Sequence, residues 1–381
     1  MKVEFYRHSL GPAEIRSVAR ALQGVFLTAG PLTTAFEKDF ARYLDCRRVI
    51  GVYSCTTALF LCLKALDIGR GDEVITTPMT FVATANAILE AGATPVFVDV
   101  EESTGNMDAN LIEKAIGPKT KAVIPVHLYG QMCDMKKIRA IADRHGLSLV
   151  EDAAHCIEGE RDEIRPGQLS DAACFSFYAT KNMTSGEGGA IATNHEDLAA
   201  KLLLLRSHGI NKEAAGRYGN RYEHWDMVCM GYKGNMFDVQ AALLLPQIPE
   251  LAENLKRRQQ ISKRYIAGFG SLAGIHFPAV LPETSHAHHL FTIWVNPHGR
   301  DLFMQRLQEH GIGVAVNYRP VHLMTYYRQR YRFGEGMFPK AEMIGKRTIS
   351  LPFYPTMRKD EVKEVIEAVK KTVGARGSKH G

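Results

Sequence analysis

The chain has 381 residues, of which 45% are apolar and 23% charged; that is long enough for more than one core and ordinary for a globular protein. Its formal charge of +6 is scattered without a basic block, which argues against nucleic acid as a partner. No apolar run approaches the ~18 residues of a membrane span, and the amino-terminal MKVEFYRHSLGPAEIR is charged where a secretion signal is apolar, so a cytoplasmic address is expected.

From about residue 47 to 194, apolar β-branched runs alternate with helix-period stretches. The runs are RRVIGVYS, DEVITTP, TPVFVDV, KAVIPVHLYG, LSLVED, ACFSFYA and GGAIATN. Between most of them lie TTALFLCLKAL, FVATANAILEA and DMKKIRAIADRHG. In the last, Met135, Ile138, Ile141 and Ala142 recur at helical spacing and Gly146 supplies a stop. Such alternation predicts an α/β fold with a mostly parallel sheet and helices on both faces. After residue 195 helices are predicted from His195 to about Arg206 and from about Met236 to Gly268. A smaller α+β part follows, with candidate strands FTIWVNP and GIGVAVNY and a last helix striped by Val362, Val365, Ile366, Val369 and Val373. The domain boundary is placed near residue 245, giving 1–245 as the large domain and 246–381 as the small one. Loops 160–169 and 211–230 are expected to shape the substrate pocket.

In such sheets ligands bind beyond the carboxyl ends of the strands, and three ends stand out. LSLVED ends in Asp152, with His155 close behind. ACFSFYATKN carries Ser176 and then Lys181, followed by GEGG. YSCTTAL offers Ser54, Thr56 and Thr57 ahead of a helix. These types suit pyridoxal phosphate, which takes a lysine amine, a carboxylate at its ring nitrogen and donors for its phosphate. Taken singly, Asp152 and the threonines could equally cap helices, and Lys181 could be a solvated surface side chain. GEGG fits neither a dinucleotide fingerprint nor a P-loop. The seven cysteines contain no C-x-x-C pair, so neither a disulfide framework nor a zinc site is expected. The histidines 286, 288 and 289 have no carboxylate at ligand spacing, and no metal is assigned to them.

At these residues the sequence resembles the DegT/DnrJ/StrS sugar aminotransferases, within the fold type I pyridoxal-phosphate enzymes. LTAGPLTTAFEKDFARYL, DEVITTPMTFVATANAILEAGATPVFVDV, VEDAAHCIEG, FSFYATKNMTSGEGGAI, RSHG and GYKGNMFDVQAAL carry the likeness across nearly the whole chain. The resemblance implies that Lys181 is the Schiff-base lysine and Asp152 the partner of the pyridinium nitrogen. By the same likeness His155 would stand beside the ring hydroxyl, where many relatives have Gln. Thr56, Thr57 and Ser176 would hold the phosphate, and Phe81 would stack on the ring. Asn235, in GYKGNM, would complete the site of a second subunit, which implies a homodimer with shared active sites; Gly234 departs from the family's usual Tyr or Phe. His127, His208, Arg319 and His322 stay undecided between structural and binding roles. By the same likeness the expected reaction moves the amino group of L-glutamate, which leaves as 2-oxoglutarate, to a keto group of a nucleotide-linked sugar. C4 is favoured, because HLYG, GYKGNM and LPFYP resemble the branch that makes UDP-4-amino-4-deoxy sugars for envelope polysaccharides such as lipopolysaccharide. A C3 aminotransferase, a dehydratase of the same family and a non-catalytic regulator that binds sugar nucleotide are the alternatives. Lys181 speaks against the dehydratase, whose branch has His there.

Overall fold

The computed structural model describes residues 2–211 and 224–377, so most of the predicted loop 211–230 lies outside the described residues. Two helices, α1 (Pro12–Gln23) and α2 (Pro31–Leu44), precede the first strand, each with a proline in its first turn, where a missing N–H costs nothing. The α/β part then runs β1 (Arg48–Val52), α3 (Cys55–Ala65), β2 (Glu73–Thr76), α4 (Val82–Ala91), β3 (Thr94–Phe97), α5 (Ile112–Ala115), β4 (Thr120–Val123), α6 (Met135–His145) and β5 (Ser148–Asp152). A short β6 (Glu160–Arg161), β7 (Ala172–Ser176), β8 (Gly189–Thr193) and α7 (Glu196–Leu205) complete it. Helix α6 begins and ends as its sequence predicts: Asp134 accepts from the Lys137 N–H at 3.0 Å, and Gly146 turns the chain out at φ 63°.

All seven predicted strand runs join one sheet, ordered β1-β8-β7-β5-β4-β2-β3. The pairs β2–β3, β2–β4, β4–β5 and β5–β7 are parallel, whereas β8 runs antiparallel to both neighbours. No helix separates β7 from β8, so the chain reverses through a loop and returns beside the strand it left. That reversal puts the first residue of β8 at the edge where the parallel strands end. Apolar cores cover both faces. On one, α3, α4 and α7 pack Leu59, Leu63, Ile88 and Leu202 over the sheet. On the other, α2 and α8 (Asp238–Leu244) bring Phe36, Phe40 and Ala241 against Phe175.

The helical segment expected over 236–268 is divided. After α8 comes a 3-10 stretch, Leu245–Glu250, and then α9 (Leu251–Phe269). Pro246 and Pro249 stand in that stretch and remove two helical donors, so an uninterrupted α-helix is not available there. The carboxy-terminal part adds β9 (Thr284–Ser285), which pairs with β6, then β10 (Phe291–Trp294), α10 (Arg300–Glu309), α11 (Thr325–Tyr331), α12 (Pro339–Arg347), β11 (Thr348–Leu351) and α13 (Lys359–Gly377). Strand β10 lies where FTIWVNP predicts it, but its partner is β11. The second candidate, GIGVAVNY, is not a strand. It makes isolated bridges only, Ile312 to Val3 and Ala315 to Ser350, because it is held by single residues on either side instead of along a ladder. The predicted stripe on α13 is buried at Val362, Val365 and Val369, against Tyr265, Phe291 and Phe353.

Candidate active site

A cavity of about 540 Å³ opens at the carboxyl edge of the sheet, lined by Asp152 of β5, Ser176 of β7 and residues of the segments that follow β1, β2, β4, β5 and β7. Its wall includes Ser54, Cys55, Thr56, Phe81, Thr84, Asp152, His155, Ser176, Lys181, Gly188 and Tyr318. One end is formed by the start of α3. Ser54 is its N-cap, with Oγ accepting from the Thr57 N–H at 3.1 Å, and the leading N–H groups of any helix have no partner within it. Gly189 makes this end possible. A Cβ there would lie 2.4 Å from the Ser54 carbonyl carbon and 2.6 Å from the Cys55 nitrogen, so only glycine lets β8 pass this close.

Asp152 ends β5 and is buried. Thr84 Oγ1 donates to its Oδ2 at 2.7 Å and the Ala154 N–H donates to Oδ1 at 3.2 Å; Thr80 and Thr84 share a further hydroxyl contact at 2.8 Å. Burial pushes the Asp152 carboxyl above its ordinary range, against the opposing pull of these donors and of Lys181. Lys181 lies in the turn between β7 and β8, its N–H on the Tyr178 carbonyl at 2.9 Å. Desolvation lowers its amine to about 8, with Asp152 and Cys55 pulling the other way. The site therefore holds a lysine amine lowered to about 8 beside a buried carboxyl group, a pairing found where amines act as nucleophiles and proton carriers.

His155 is fixed at both ring nitrogens. Its Nδ1 accepts the Tyr129 N–H at 3.3 Å, and Nε2 lies 3.0 Å from the Tyr318 hydroxyl. Burial, and then the Lys181 charge, hold it well below the usual histidine range, so the ring is neutral, carries its proton on Nε2 and donates it to Tyr318. The tyrosine's own proton is thereby left to point elsewhere. Phe81 is 57% exposed, and its ring centroid lies 5.9 Å from that of Tyr318.

Of the residues singled out from sequence, Lys181, Asp152, His155, Ser176, Thr56 and Phe81 line this one cavity. Thr57 and Asn235 do not. The Thr57 hydroxyl turns back to Ser54 Oγ at 3.0 Å. Asn235 is buried, with Nδ2 on Thr28 Oγ1 at 3.1 Å and Oδ1 without a partner among the described residues. His127 faces away, its Nε2 2.6 Å from the buried Glu151 carboxylate, and His322 is likewise buried on Glu342 at 3.1 Å. His208 is exposed in a turn. Arg319 is exposed, with Nη2 on the Leu323 carbonyl at 3.0 Å. In that same segment Asn317 and Tyr318 reach the cavity, and nothing in the order NYRPVH distinguishes them from the more conspicuous Arg319 and His322. Thr84 was equally silent; its only signal is the four-residue step from Thr80 at the start of a helix.

The DegT/DnrJ/EryC1/StrS aminotransferase family model matches residues 8–370. Spore coat polysaccharide biosynthesis protein SpsC of Bacillus subtilis (strain 168) is 44% identical over 370 residues, spanning 96% of this chain and 95% of its own length. Among solved structures, S. venezuelae DesV, determined in complex with a ketimine intermediate, matches with a TM-score of 0.90 and 35% identity over 97% of this chain and 98% of that one. NtdA of Bacillus subtilis, with PMP bound as cofactor, matches with a TM-score of 0.84 and 31% identity, over 96% of this chain and 83% of that one.

Proposed function

The chain belongs to the DegT/DnrJ/EryC1/StrS aminotransferase family and is a pyridoxal-phosphate-dependent sugar aminotransferase of fold type I, and from that premise we propose that it aminates a nucleotide-linked keto-sugar, with Lys181 as its catalytic amine. L-glutamate gives up the amino group and leaves as 2-oxoglutarate, and the ketone, C4 by preference, becomes an amine. The carrying observation is Lys181, its amine lowered to about 8, facing the buried Asp152 across one cavity.

The donor set fits the cofactor. The N-terminus of α3, opened by the absence of a Cβ at Gly189, together with Thr56 and Ser176, would take the phosphate. Asp152, held by Thr84, would face the ring nitrogen, His155 the ring hydroxyl, and Phe81 the ring face. When bound, pyridoxal phosphate supplies an electron sink that makes the proton on an amino-bearing carbon removable. Lys181 would hold the cofactor at rest and would carry the proton taken from and returned to carbon, as an amine lowered to about 8 can do in both directions. Asp152 would keep a proton on the ring nitrogen. Thr84 and the Ala154 N–H keep Asp152 aimed.

The second subunit enters through Asn235. Its buried Oδ1 lacks a partner among the described residues, and the exposed Met227, Val228 and Met230 lie just ahead of it in the chain. Both support a homodimer in which Thr57 backs the phosphate site and Asn235 serves the neighbour's. Among the described residues no helix is long and apolar enough to cross a membrane.

The test is a panel of keto-sugar nucleotides with glutamate, the aminated carbon identified by NMR. Amination at C4 is expected. Amination at C3 alone overturns the regiochemistry, and a Lys181→Ala protein that still turns over at the native rate overturns the whole reading.

A further inference from the structure

Behind the turn that carries Lys181 lies a buried polar cluster outside the cavity wall. Asn182 is at its centre. Its Nδ2 donates to Glu158 Oε2 at 2.8 Å and to the Ala287 carbonyl at 3.0 Å, and its Oδ1 accepts from His289 Nδ1 at 3.1 Å. The other carboxylate oxygen of Glu158 is paired with Nη2 of Arg258, which comes from α9 and is 1% exposed. The same Nη2 lies 3.4 Å from the Ala287 carbonyl. The His289 ring in turn lies 4.3 Å from that of His155.

This arrangement is a poor device for stability. A buried ion pair is often replaceable by apolar side chains without loss, and here Nε and Nη1 of Arg258 find no partner among the described residues, an unfavourable state for buried donors. What the pair does achieve is orientation. Arg258 fixes Glu158, and Glu158 with Ala287 fixes both amide protons of Asn182. Lys181 itself lies in neither helix nor strand, so the aim of its side chain depends on how its neighbours in the turn are tethered.

We propose that Arg258, acting through Glu158 and Asn182, is a positioning residue that sets the aim of Lys181 into the cavity. The proposal rests on the reading of Lys181 as the cofactor's amine. Its test compares R258M, N182A and the R258M/N182A double variant with K181A and the native protein. Pyridoxal phosphate is the probe, and the readouts are its dissociation constant, the pH midpoint of its visible band on the protein, and the melting transition. Expected are folded single variants with roughly tenfold weaker binding and a displaced midpoint, and a double variant no worse than the worse single one, since the two act in series. R258M leaves Glu158 buried without its cation; if it does not fold, R258M/E158Q, which buries no lone charge, takes its place. Native binding and midpoint in R258M or its substitute overturn the proposal, whatever happens to the melting temperature. K181A separates the two levels. If it keeps the native band, the reading beneath fails; if it loses the band while the other variants match the native protein, only the relay fails.

Discussion

Thr84 carries no charge, yet its hydroxyl is the shortest contact to the Asp152 side chain, at 2.7 Å. Hydrogen bonds to charged groups contribute about 1.5–3 kcal/mol, so Thr84→Val should weaken pyridoxal phosphate by roughly 10- to 100-fold; equilibrium titration of the apoprotein checks this. Lys181 has a second signature. Its amine, lowered to about 8, is free above that value and protonated below it. The rate at which apoprotein captures pyridoxal phosphate should therefore rise as pH passes through about 8, followed by stopped-flow absorbance. Asp152 holds the Lys181 value up, so Asp152→Asn should move that midpoint to lower pH. The linkage to stability has a definite sign. A lysine whose folded value is depressed binds fewer protons folded than unfolded, so stability rises with pH between its folded and unfolded values. Lys181→Met apoprotein should then be more stable than native apoprotein below pH 8, and the difference should shrink on going from about 8 toward the ordinary lysine value of 10.5; denaturant titrations at several pH values measure it.

Between elements, the critical contact is β8 against the start of α3. A Cβ at residue 189 meets backbone on α3, and backbone cannot swing aside as a flexible side chain can. Overpacking of this kind costs about 1–3 kcal/mol, so Gly189→Ala should lower the urea midpoint and, by displacing α3, weaken cofactor binding as well. The strands and helices around this contact were legible because periodicity of 2 or 3.6 records which face is buried, and LSLVED and ACFSFYA place Asp152 and Ser176 at strand ends by that reasoning alone. Periodicity carries no record of pairing. It could not tell that GIGVAVNY would make isolated bridges while the TISL of β11 pairs with β10. Nor could it foresee that Pro246 and Pro249 would turn one helical segment into two. In the cavity, residues with evident chemistry were found in advance. Thr84 and Tyr318, which line it and bond to Asp152 and His155, were not, nor was Asn182 behind its wall, because a hydroxyl or an amide reveals its purpose only through its neighbours.

At the scale of the whole molecule, Asn235 lies outside the cavity that Lys181 lines in the same chain. If, in the proposed homodimer, Lys181 serves its own site and Asn235 that of the second subunit, Lys181→Ala and Asn235→Ala proteins should both be crippled, yet mixing them by denaturation and refolding should recover about a quarter of native activity, since half the dimers would be mixed and each would hold one intact site. No recovery would place both residues in the same chain's site. The lone reversed strand has a bearing on biogenesis. Val52 and Ser176 both find Gly189 as their partner, so the two ends of the cavity, one following β1 and the other following β7, stay unjoined until that late strand threads between them. Everything through β8 should therefore have to be synthesised before the proposed site for vitamin B6 phosphate can close. Added cofactor should then stabilise a finished but unstable chain by binding it, and should not template the first half of the protein.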